Sequence, residues 1–95
     1  MTRVTLKKND GKYSVLCEGH ATGSREVCAA VSALAYSLLG WLKNAGDVTI
    51  DSEVVADGYF EVEFSGGERA GAVFELIGIG FLQLEASKGE YIAVF

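Results

Sequence analysis

The 95-residue sequence predicts an α+β fold: a two-layer sandwich of a mostly antiparallel sheet and two helices, in the order β-β-α-β-β-α-β. Three observations carry the prediction. Residues 2–8, 12–18 and 59–64 alternate apolar and polar side chains, the period of a strand with one buried face. Asn9-Asp10-Gly11 and Asp57-Gly58 separate such runs and tolerate the positive φ of tight hairpins. Two long stretches, 25–44 and 68–87, repeat apolar residues at helical spacing. There is no linker, repeat or low-complexity segment, so residues 1–95 are read as a single domain.

In the first hairpin, Val4 and Leu6 share one face, and Arg3, Thr5 and Lys7 the other. In the return strand Tyr13, Val15 and Cys17 face one way, and Ser14, Leu16 and Glu18 the other; His20 continues the second set at the strand end. Cys17 therefore reads as core. Ala21 to Ser24 form a loop, with Ser24 as N-cap because its hydroxyl can accept a helix N–H. Glu26 falls in the first turn, where the helix dipole favours a carboxylate.

The first helix carries the stripe Val27, Val31, Leu34, Leu38 and Leu42, with Ala30, Tyr36, Leu39 and Trp41 spreading apolar surface beyond it. A helix apolar nearly all round is central or is covered by a second subunit. Lys43, Asn44 and Gly46 stop it. Residues 48–54 and 59–64 form the second hairpin, with Phe60, Val62 and Phe64 inward and Glu61 and Glu63 outward. Ala70, Val73, Phe74, Ile77, Phe81 and Leu84 form the core stripe of the second helix. Gly71, Gly78 and Gly80 within it permit close approach of a neighbouring element. Residues 91–95 form a short last strand or a tail on the sheet.

The net charge of −5 argues against nucleic acid and against an anionic membrane surface as partners. No apolar run reaches membrane length without interruption. Met1-Thr2-Arg3 leads straight into a strand pattern rather than an apolar leader, which favours a cytoplasmic setting with free thiols at Cys17 and Cys28. One His and two Cys, with no CxxC, give no basis for a metal site, and no motif calls for a cofactor.

The chemistry concentrates in residues 19–34. A thiol at the start of a helix lies where unpaired N–H groups favour the thiolate. An imidazole near it makes a Cys–His nucleophile pair. His20 at the strand end and Cys28 at the helix start are joined by a short loop, so their side chains can be neighbours. Ser32, one turn after Cys28 on the same face, can support the pair or return its hydroxyl to a backbone carbonyl. Read without that pairing, Cys28 is a small core residue and His20 a solvated one. Glu53, Glu61 and Glu63 read as solvated, and Tyr36 and Trp41 as core or interface.

Gly19-His20-Ala21 followed by Val27-Cys28-Ala29-Ala30-Val31-Ser32-Ala33-Leu34 resembles the signature of the ribosomal-processing cysteine protease family (Prp). Length, element order and the ending Gly89-Glu90-Tyr91-Ile92-Ala93-Val94 resemble it too. The resemblance implies a homodimeric cytoplasmic cysteine endopeptidase that removes an N-terminal extension from a large-subunit ribosomal protein. It implies Cys28 as nucleophile and His20 as base, with Ser32 and Glu26 in support. Backbone N–H groups at the helix start, Cys28's own first, are then candidates for the oxyanion hole.

Two features depart from the family pattern. The His20–Cys28 loop is a few residues shorter, and Arg25-Glu26 replaces an Asp-Ile pair. They keep two alternatives in view: a catalytically inactive dimeric peptide- or ribosome-associated binding module, and a protease for a prophage capsid precursor. A thiol redox sensor is a weaker third, because Cys17 points to the strand face opposite His20 and no resolving thiol is evident.

Overall fold

In the computed structural model, which describes residues 1–19 and 23–95, Asp10 and Gly11 both take positive φ, 46° and 77°. That conformation turns β1 (Thr2–Asn9) back into β2 (Lys12–Glu18), with Val4 opposite Cys17 and Leu6 opposite Val15. Gly58, at φ 68°, does the same between β3 (Val48–Ala56) and β4 (Tyr59–Gly66). The hairpins join through an antiparallel β2–β4 pair that sets Val15 opposite Val62 and Cys17 opposite Phe60. The last strand, β5 (Ile92–Val94), lies parallel to β1, giving the sheet order β3-β4-β2-β1-β5.

This register collects Val4, Val15, Cys17, Phe60, Val62, Phe64 and Ile92 on one face, none more than 2% exposed. A strand's side-chain period is two, so a slip of one residue would turn that whole set to the outer face. Tyr13, Phe64 and Phe74 meet at one end of the core, with ring centroids 5.0–6.4 Å apart. The outer face carries Lys7, Ser14 and Glu63 in one row across β1, β2 and β4. The β3–β4 register shifts between Ile50 and Ser52, leaving Asp51 as an extra residue in the edge strand.

Two helices cover the apolar face. In α1 (Arg25–Asn44) the buried side chains are Val27, Val31, Ala35, Leu38, Leu39 and Leu42. The expected stripe is thus corrected at one position: Leu34 is only half-buried, and Ala35 faces the core in its place. The reason lies in α2 (Glu68–Lys88). A Cβ on Gly80 would stand 2.8 Å from Leu34 Cδ2, so Leu34 fills the notch that this glycine leaves between the helices. Gly71 likewise admits the Tyr13 hydroxyl, 2.9 Å from where its Cβ would be. Each glycine costs about 1 kcal/mol against Ala in a helix, and each permits close packing in return.

Ala70, Phe74, Ile77 and Phe81 of α2 are buried as expected, while Val73 and Leu84 are half-buried. Leu76, Ile79 and Leu82 of the same helix are 66%, 48% and 50% exposed. By length and composition alone both helices could cross a membrane, despite their polar interruptions. In this fold part of that apolar surface covers the sheet and joins the two helices, and part of it, Leu76, Ile79 and Leu82 included, stays exposed. Tyr36 is exposed rather than core, and Trp41 is half-buried under the Arg69 guanidinium, 5.3 Å from its ring centroid.

Candidate active site

Three local features deliver Cys28 to the surface. Gly19 ends β2 at φ 69° and donates its N–H to Gly58 O at 2.8 Å, which ties the strand end to the β3–β4 turn. Gly23, at φ 97°, passes against the Tyr91 ring; a Cβ there would lie 3.3 Å from Tyr91 Cδ1. Ser24 is the N-cap, extended at φ −133° and ψ 129°, and its Oγ accepts from Val27 N–H at 3.3 Å. Capping at Ser24 fixes where α1 starts and places Cys28 one turn in.

Cys28 is half-buried and a free thiol. It opens on a recess of about 350 Å³ lined by Gly23, Ser24, Arg25, Cys28 and Ala29. A larger groove of about 660 Å³ beside the β1–β2 turn is lined by Lys7, Lys8, Lys12, Asp51 and Glu63 among others, and shares no lining residue with that recess. That groove contains neither cysteine, whereas the smaller recess holds the Cys28 thiol.

The backbone changes one expectation. The Cys28 N–H donates to Ser24 O at 2.9 Å, the first helical bond of α1, and so is not available to an oxyanion. Val27 N–H is spent on the cap. The N–H groups of Arg25 and Glu26 have no partner among the described residues, and they are the donors left in the first turn.

The remaining expected site residues are placed as follows. His20, with Ala21 and Thr22, lies outside the described residues, so the Cys–His pairing is not part of the described geometry. Ser32 is half-buried one turn after Cys28; its hydroxyl makes no hydrogen bond among the described residues, and it does not line the recess. Glu26 is exposed and paired with Lys88 at the end of α2 at 3.2 Å, outside the recess lining. Cys17 is fully buried, and burial pushes its thiol up to about 12. Arg25 was read only as a departure from a motif, yet it lines the recess with Cys28.

A two-layer α+β domain with an accessible thiol one turn into a capped helix, open to a recess, has the build of a cysteine-dependent enzyme. The comparisons give the family. The model of the cysteine protease Prp family matches residues 1–93, and the chain belongs to that family. Its fold is similar to the crystal structure of SMU.848 from Streptococcus mutans, with a TM-score of 0.78 and 26% identity over 99% of this chain and 95% of that one. It is also similar to the ribosomal processing protease Prp from S. aureus in complex with a covalently linked product peptide. There the TM-score is 0.84 and the identity 22%, over 99% and 97% of the two chains. The same S. aureus protease with a substrate peptide gives a TM-score of 0.83 at 21% identity over 100% and 98%. No curated protein sequence matches the chain.

Proposed function

We propose that this chain is a cytoplasmic, homodimeric cysteine endopeptidase that removes an N-terminal extension from a precursor protein, most simply a large-subunit ribosomal protein. The observation that carries the reading is the placement of Cys28: a half-buried free thiol, one turn into a capped helix, facing a recess. Membership of a cysteine protease family and the likeness in fold to a protease that holds peptides support it.

In this mechanism His20 takes the Cys28 proton and the thiolate attacks the scissile carbonyl carbon. The tetrahedral oxyanion is met by the Arg25 and Glu26 N–H groups. The C–N bond then breaks, His20 gives its proton to the leaving amine, and a thioester remains. Water, deprotonated by His20, attacks the thioester carbonyl; the C–S bond breaks, the peptide leaves as its carboxylate, and the proton on His20 returns to the Cys28 thiolate. These two N–H groups, without a partner among the described residues, contribute where charge develops, the kind of contact whose loss typically costs about 10²–10³ in rate.

The first test is iodoacetamide alkylation of Cys28 against pH, with Cys17→Ser in every variant. Fast labelling at neutral pH that weakens in His20→Ala supports the pair. A peptide spanning the start of the ribosomal precursor, cleaved by the parent and not by a folded Cys28→Ala, completes the case. A capsid precursor cut in its place would move the substrate to the prophage alternative.

The inactive binding module is the second reading, favoured by the shortened loop and by Arg25-Glu26. It predicts slow labelling, equal in the parent and His20→Ala. For the dimer, the exposed Leu76, Ile79 and Leu82 of α2 offer an apolar surface. Sedimentation of the parent against Leu76→Lys would show a monomer in the variant if α2 forms the contact.

A further inference from the structure

β5 covers only part of the β1 edge. Thr2 N–H donates to Tyr91 O at 2.8 Å, Phe95 N–H to Val4 O at 2.8 Å and Leu6 N–H to Phe95 O at 3.0 Å. Successive residues of a strand direct their backbone groups to opposite sides, so Arg3, Thr5, Lys7 and Asn9 turn theirs to β2. Lys8, like Leu6, faces the β5 side, and its N–H and C=O have no partner there among the described residues. The far edge of β5 is different: Val94 N–H donates to Glu85 Oε2 of α2 at 2.7 Å.

Two hollows flank this open stretch. A recess of about 520 Å³ between β1 and α2 is lined by the apolar Leu6, Tyr13 and Phe74, with Glu68 and Glu75 of α2 beside them. The groove of about 660 Å³ described above is lined by Lys7, Lys8 and Lys12. These three lysines are exposed and make no ion pair among the described residues, whereas Lys43, Arg69 and Lys88 are paired. A strand edge with unmade backbone bonds is a template for another strand. Lysines along it repel a second copy of the same edge and attract an acidic one.

We propose that β1 from Leu6 to Asn9 docks an extended segment of a partner protein, in which acidic and apolar residues alternate, as a strand continuing the line of β5. Strand addition draws affinity from main-chain bonds and specificity from alternate side chains. Side chains on the inner face would enter the Leu6, Tyr13 and Phe74 recess, where Glu68 and Glu75 repel an acid. Those on the outer face would meet Lys7, within the field of Lys8 and Lys12. Asp51 and Glu63 interrupt the positive surface of the groove, which disfavours a phosphate backbone with its unbroken charge. The site lies at the end of β2 opposite the one that leads to Cys28, so the inference stands apart from the protease reading.

The probe is a fluorescent peptide alternating Glu and Val, titrated with the full chain and followed by anisotropy. Each exposed ion pair is worth up to about fivefold in affinity, so Lys7→Gln, Lys8→Gln and Lys12→Gln together should weaken binding by about tenfold. Lys43→Gln, Arg69→Gln and Lys88→Gln together remove the same charge elsewhere and should weaken it by less than about twofold. Peptides with Gln for Glu, or with Ser for Val, should each bind more weakly. Amide hydrogen exchange is the second readout: Lys8 N–H of the parent should exchange at least about tenfold more slowly in the complex. Equal binding by the two triple variants, an unchanged Lys8 exchange rate, or no binding of the peptide overturns the assignment. A single-stranded RNA that binds the parent more tightly than the peptide, and loses that affinity in the Lys7, Lys8 and Lys12 variant, would overturn it in favour of nucleic acid.

Discussion

Replacing Ser24 separates what stabilises α1 from what activates Cys28. Ser24→Ala removes the acceptor of the 3.3 Å bond from Val27 N–H and leaves that donor uncapped. Loss of a side-chain N-cap typically costs about 1 kcal/mol. For a domain of this length, about 1 kcal/mol moves Tm by roughly 4–8 °C. Ser24→Gly should cost only about a few tenths. Ser24→Asp keeps the acceptor and adds an anion at the positive end of the helix, worth about 0.3–1 kcal/mol, so its Tm should equal or exceed the parent's. The same carboxylate sits one turn from Cys28, whose N–H is bonded to Ser24 O. It should therefore disfavour the thiolate and slow iodoacetamide alkylation several-fold. The assay is thermal unfolding followed by circular dichroism, with Cys28 alkylation measured on the same samples. Two results would refute the reasoning: Ser24→Ala melting within 1 °C of the parent, or Ser24→Asp gaining both stability and reactivity.

Phe64 is fully buried and stacks on Tyr13 at 5.3 Å, so Phe64→Ala should cost about 3–5 kcal/mol in urea unfolding; a loss below about 1 kcal/mol would show that the site collapses to fill the space. The buried Cys17 thiol is pushed up from 9.0 to about 12, so the folded chain keeps a proton that the unfolded chain releases. Its contribution to stability is full below pH 9 and is lost as pH rises toward 12, by up to about 1.4 kcal/mol per unit. Urea midpoints at pH 8, 9 and 10 should therefore fall more steeply for the parent than for Cys17→Ala, and parallel slopes would disprove the link. A Cβ on Gly66 would stand 2.8 Å from Ala70 Cβ and 3.1 Å from Val48 Cγ1, so Gly66→Ala should destabilise by about 1–3 kcal/mol. Gly40, exposed in α1 with nothing within 4 Å, is the control: Gly40→Ala should stabilise by about 0.5–1 kcal/mol, and equal effects at the two glycines would contradict the packing described.

Much of the fold is legible from local chemistry. The alternation in 12–18 and 59–64 assigns inward faces that the structure keeps, because a strand's side-chain period leaves no other choice once one face is buried. Asn9-Asp10-Gly11 is a turn for the same short-range reason, and Ser24 caps α1 because a hydroxyl at that position reaches an N–H three residues on. The thiol at 28 and its motif could be read in advance, since sequence position along a capped helix sets where a side chain emerges.

Other features needed partners far along the chain. Whether Leu34 or Ala35 faces the core depends on Gly80, forty-odd residues later, and both satisfy the helical period. The shift at Asp51 depends on the register with β4, and the parallel seat of β5 beside β1 on how α2 returns the chain to the sheet. At the site, Cys28's N–H was a fair oxyanion donor until the helix start showed it bonded to Ser24 O. Arg25, a local oddity in the motif, became a lining residue of the recess only in three dimensions. The sequence by itself determined the elements, their inward faces and the helix cap, and it put a thiol one turn into that helix, because these follow from periods and bonds spanning a few residues. Only the tertiary structure decided which small residue meets which large one, which donors among the described residues remain unspent and which residues line the recess with the thiol, because each is a property of surfaces brought together by the whole chain.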